Sequence, residues 1–184
     1  MRFQSALLTL VAVASAALAS PSLKRDGITV SADFTNIATD VKNFNGACLA
    51  FKNPGGTLAQ ANNILAAGQT LDTDIKKATT DATASPAFTV NDSATLVAQA
   101  KTIQGLVVTA VGSLIADKSA FESLPLKNAT GIVASKLTVL KSDTSALGAA
   151  VLLKTSPDQQ KNGQIVFTAI LNQLDLGISA FTSS

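Results

Sequence analysis

Asp72, Asp74, Glu122 and Cys48 are the side chains here whose types and spacing come nearest to doing chemistry. Paired carboxylates serve general acid–base work, and a thiolate serves as a nucleophile or a metal ligand. Asp72-Thr73-Asp74 sets its two acids on different faces of a helix, with no third ligand nearby. Glu122 is the sole Glu, so a two-carboxylate glycosidase would have to use it as the raised-pKa acid from near a helix end. Cys48 is the one cysteine, which excludes an internal disulfide, a thiolate zinc site and a redox pair. There is no His, and with it go the Ser-His-Asp and Cys-His relays and any imidazole metal ligand. Gly-x-Ser-x-Gly, the P-loop and the Gly-rich nucleotide fingerprint are all missing. The residue inventory therefore predicts a protein that is not an enzyme and uses no cofactor or metal.

Charge narrows the partners. The 184 residues carry 14 Lys+Arg against 12 Asp+Glu, with Arg only at positions 2 and 25. Nucleic-acid binders need clustered Lys and Arg, so that class is set aside. Met1-Arg2, an apolar run from Ala6 to Val13, and Ala17-Leu18-Ala19 form the three parts of a secretory signal peptide. Residues 1–19 are read as that signal, cleaved after Ala19. Residues 20–25 are read as a short propeptide ending at the dibasic pair Lys24-Arg25, and residues 26–184 as a single domain. Removing residues 1–25 leaves 11 basic and 12 acidic side chains and no Arg at all. The apolar run is too short to span a bilayer, and Phe181-Thr182-Ser183-Ser184 lacks the tail of a GPI signal. The expected location is secreted: extracellular, or held noncovalently at a cell wall.

The domain's elements are helices. Phe34, Ile37, Val41, Phe44, Cys48 and Phe51 follow one another by three or four residues, which predicts a helix over 31–52. Thr29 or Ser31 would cap it, with Asp33 in its first turn. A second helix from about Thr57 to Thr83 carries Leu58, Leu65, Leu71 and Ile75, and Ser85-Pro86 ends it. A third, capped by Asn91 or Asp92, carries Leu96, Ile103, Val107, Val111 and Leu114 and ends near Asp117-Lys118. A fourth starts about Asn128, with Ile132, Leu137, Leu140, Leu147 and Val151. Ser156-Pro157-Asp158 restarts the chain as a fifth, carrying Ile165, Phe167, Ile170, Leu174, Ile178 and Phe181. Short connections between helices of similar length give an all-α fold: an antiparallel up-down bundle of four to five long helices. Its interior packs solid or leaves an apolar cavity between helices; periodicity alone favours the solid core. Cys48, on the first stripe, reads as a small buried apolar residue.

The outer faces carry Ala, Thr, Ser, Asn and Gln more than charge, which lowers the desolvation cost of lying on an apolar surface. Export makes two sequons available, Asn128-Ala129-Thr130 and Asn91-Asp92-Ser93. Asn91 is the weaker acceptor if its side chain caps the third helix.

The leader, Pro-x-x-Lys-Arg-Asp (Pro21 to Asp26), and a first helix with Ile37, Val41 and Phe44 resemble the fungal hydrophobic surface-binding protein and cell-wall galactomannoprotein family. The Ala/Thr/Leu-rich helical body extends the resemblance to about Phe181. It implies a secreted bundle that adsorbs to hydrophobic solids, can recruit a polyester-degrading hydrolase, and in some members holds a fatty acid between helices. The family brings no catalytic residues. Phe34, Phe44, Ile103, Val107, Leu137, Leu140, Ile170 and Leu174, at central stripe positions, are the lipid-lining candidates. With no Arg in the mature chain, Ser/Thr hydroxyls, backbone, or a Lys at a helix end would meet the acid head. The function expected is noncatalytic binding of fatty acids, other lipids or hydrophobic surfaces. A helical interaction module that recruits or inhibits a secreted hydrolase is the alternative.

Overall fold

The computed structural model describes residues 27–51 and 56–183. The expected signal peptide with Ala19, and the Lys24-Arg25 pair, lie outside them. Five long helices, α1 (Gly27–Ala50), α2 (Leu58–Ala84), α3 (Val90–Ala116), α5 (Ala129–Lys154) and α6 (Pro157–Thr182), are joined by short connections, one holding the single-turn α4 (Lys118–Glu122). Many Thr residues sit mid-helix. Those at 35, 73, 109 and 138 donate their hydroxyls to the carbonyl four residues back, so they do not interrupt the turns.

Local signals set some boundaries and packing overrides others. Thr57 forms a full capping box with Gln60, its hydroxyl accepting at 3.2 Å and its N–H donating at 2.9 Å. Ser156-Pro157 opens α6 where the sequence puts it. The cap of α3, however, is Thr89, which accepts from the Asp92 N–H at 3.1 Å, and not Asn91 or Asp92. Both of those lie in the first turn, where Asp92 suits the positive end of the helix. α1 begins at Gly27, so Thr29 and Ser31 are inside it and Asp33 is beyond its first turn. Its extra turn leans on α3, where Gln99 donates to the Ser31 carbonyl at 3.1 Å.

The stripes need three corrections. Leu58, Ile132 and Ile165 are exposed, because Ala61 and Ile64, Val133, and Val166 and Phe167 hold the inward positions one step round the helix. α4 is an addition that no stripe foretold. It folds Ala120 and Phe121 inward, and the Phe121 ring meets Phe51 at 4.4 Å and Phe181 edge-on at 5.8 Å. Cys48 is fully buried, and its thiol is pushed up to about 12, by burial first and then by the charge of Asp117. It behaves as the small apolar residue expected.

The long helices close into a ring in the order α1–α2–α5–α6–α3. Antiparallel packing holds only for α1·α2 and α5·α6. Lys141 of α5 reaches Asp175 near the far end of α6, while Gly148 of α5 lies against Phe167 nearer its start. The pairs α1·α3, α3·α6 and α2·α5 run parallel: Val97 and Val111 of α3, for instance, lie against Gly163 and Gly177 of α6. Thus the chain alternates direction as expected, but α2 and α3 are consecutive without packing side by side. α3 and α6 are long and apolar enough to cross a membrane by composition, yet each packs along two neighbours in the ring.

Candidate functional site

Where five inward stripes converge on one axis, their side chains must fill a central column. Here they leave a chamber of about 50 Å³. α1 contributes Phe34, Ile37 and Val41; α2 gives Leu71 and Ile75; α3 gives Ala100, Ile103 and Val107. α5 adds Leu140, Thr144 and Leu147, and α6 adds Phe167, Ile170 and Leu174. Thr144 carries the one polar side chain of that lining. The lining offers apolar contact almost throughout.

A second cavity, about 60 Å³, lies between α2 and α5 and shares Leu140 with the chamber. Of the eight lining candidates, the structure places Phe34, Ile103, Val107, Leu140, Ile170 and Leu174 around the chamber. Phe44 and Leu137 line the second cavity, again with Leu140. All eight are buried.

Charge is gathered along α2. At its seam with α1, the Lys77 ammonium donates to buried Asp33 and to Asp81, the latter at 2.9 Å. Burial still pushes the Asp33 carboxyl upward against the pull of Lys77. Further along, burial raises Asp40 to about 6, helped by its hydrogen bond to Asp74 and by that group's charge. At the seam with α5, Lys76 donates to Asp72 at 2.6 Å and lies 3.6 Å from Asp143. Burial pushes Asp72 up, but hydrogen bonds from Asp143 and Lys76 and the charges of Lys76 and Lys136 hold it below the usual carboxylate range. Asp143 moves the other way, through burial and then through Asp72.

Asp72 and Asp74 do face opposite seams and form no joint site. Glu122 is exposed on α4, 3.6 Å from Lys118. Among the described residues no three His, Cys, Asp or Glu side chains gather to hold a metal. The buried carboxylates were not anticipated. Asp33 and Asp40 sit seven residues apart beside Phe34 and Val41, so their place on the buried face was there to be found. Of the sequons, Asn128 is exposed in a left-handed conformation just ahead of α5. Asn91 is exposed in the first turn of α3, its side chain not needed as the cap.

The profile of hydrophobic surface binding protein A matches residues 27–152, more than half of the chain. The chain belongs to the hydrophobic surface binding protein A family. Solved structures share the fold. The complex of AFMP4P with palmitic acid superposes with a TM-score of 0.80 at 25% identity, over 85% of this chain and 100% of that one. Ligand binding domain 1 of Penicillium marneffei MP1 protein, complexed with arachidonic acids, gives 0.77 at 20% identity, over 85% of this chain and 99% of that one. Domain 2 of the same protein, with multiple arachidonic acids, gives 0.77 at 18% identity, over 88% and 99%. No curated protein sequence matches the chain. The family and these neighbours are binding proteins, described by what they hold and not by a reaction.

Proposed function

We propose that this family member is a noncatalytic, exported carrier of long-chain fatty acids, which takes the acyl chain along the axis of its helix ring. One observation carries the reading: a chamber walled by all five long helices, with fourteen lining side chains of which thirteen are apolar. At about 0.8 kcal/mol per buried CH₂, ten methylenes contribute about 8 kcal/mol, and no reacting group is needed. About 50 Å³ is room for a few water-sized molecules and not for an acyl chain, so the ring has to widen to receive one. The fatty acids held by AFMP4P and by the MP1 domains support the same use of the fold. The leader through Ala19 and the Lys24-Arg25 pair support export and trimming, and the sparse surface charge supports a second use in adsorbing to apolar solids.

Organic extraction of protein purified from culture fluid, followed by mass spectrometry, tests the carrier directly. An acyl ligand is expected, together with displacement of a fluorescent fatty acid by palmitic acid and an N-terminus at residue 26. Absence of both extraction and displacement would refute the carrier, leaving adsorption to an apolar solid to be measured by itself.

A further inference from the structure

The cavity between α2 and α5 differs from the chamber in that charged side chains, Asp72 and Lys136, enter its lining together with Gln69. Its depth is apolar, and Leu140 is the wall it shares with the chamber. Gly68 leaves room at its edge, since a Cβ there would stand 3.6 Å from the Phe44 ring. Gln69 and Lys136 are exposed, so the polar side of the cavity faces water. Asp72 is already engaged, by Lys76 at 2.6 Å and by Asp143. Lys136 forms no ion pair among the described residues. Its charge is felt at Asp72, but that acid is already held by Lys76 and Asp143, so the exposed ammonium at the lip of an apolar hollow matches a ligand with one negative head on a long apolar tail.

We infer that this cavity is the head-group seat of the bound fatty acid: the Lys136 Nζ holds the carboxylate, the Gln69 amide is placed to donate a second hydrogen bond, and the tail runs past Leu140 into the chamber. This rests on the carrier reading. It makes the protein selective for acids over neutral lipids of the same length, because an alcohol or ester offers the ammonium no charge. Lys136 lies in the second turn of α5, away from the helix ends where the sequence looked for such a lysine.

Displacement of cis-parinaric acid by palmitic acid and by 1-hexadecanol, in the wild type, Lys136→Met and Lys136→Arg, decides the matter. Lys136→Met is expected to raise the palmitic acid needed by about tenfold, the scale of a charge-assisted hydrogen bond at a partly wet site, and to leave hexadecanol unchanged. Lys136→Arg restores the acid. If palmitic acid displaces equally well from wild type and Lys136→Met, or if both lipids weaken together, the seat is elsewhere and the carrier stands. If the wild type takes up neither lipid, the carrier reading falls and the seat with it.

Discussion

α2 and α6 hold equivalent places in the ring, each flanking α5, yet they are fastened by opposite means. α6 closes by shape. Gly148 of α5 leaves a notch where a Cβ would meet the Phe167 ring at 3.0 Å, and a Cβ on Gly177 would meet Leu137 and Val111 at 3.0 and 3.1 Å. α2 closes by charge, with Asp33, Asp81, Asp72 and Asp143 drawn into its two seams around Lys76 and Lys77 and Asp40 set against Asp74. Parting a close-packed seam forfeits dispersion contacts that water does not replace. Parting a charged seam returns carboxylates to water, which offsets much of the loss. On this contrast α2 is the wall expected to give first if the ring widens as proposed, and the outer cavity lies along its edge.

The largest test of that contrast is Gly148→Leu. It drives a side chain into the notch under Phe167 and should lower stability by about 2–3 kcal/mol, read by denaturant titration. Were it neutral, α6 would not be locked by shape. Next comes Asp40→Asn on the α2 side. A carboxyl raised to about 6 in the fold, against 3.8 as its ordinary value, binds its proton more tightly folded than unfolded. Its contribution is therefore most favourable below pH 4, is lost as the pH rises towards 6, and stays lost above. The substitution should gain about 1–2 kcal/mol at pH 7 and almost nothing at pH 3.5, which melting curves at the two pH values would show. A gain that does not change with pH would remove the charge argument. Gly68→Ala should come third, with a rise of about 0.5–1 kcal/mol from helix propensity, because its new methyl meets Phe44 at an ordinary distance. A loss there would mean that α2 is packed as closely as α6. Lys141→Met, which removes an exposed pair with Asp175, should change stability by less than about 0.5 kcal/mol.

Most of the helices were legible because burial in a bundle repeats every three to four residues, and such a rhythm survives many Thr and Val. The ring order was not. Short connections do force alternating direction, but side-by-side neighbours depend on which stripes fit, and α3 fits α1 and α6 better than the α2 that precedes it. α4 escaped because five residues hold too little periodicity to register. Six of the eight lining candidates surround the axial chamber because the middle of a long stripe is where the axis of a helix ring passes, while Phe44 and Leu137 line the outer cavity. That Lys136 lines the outer cavity could not be read from the chain, because one Lys on a helix looks like any other until α2 stands opposite it. Asp33 reads in the sequence only as an acid suited to the first turn, and Asp40 draws no notice, because a stripe is traced through its apolar members and passes over the acids between them.

The ring order also sets a timetable. α1 with α2 and α5 with α6 are hairpins that form from nearby chain, whereas α3 must reach back to α1 and wait for α6. Because synthesis delivers α6 last, the inner column stays an open trough through most of biogenesis, its Phe and Leu side chains turned to whatever is around.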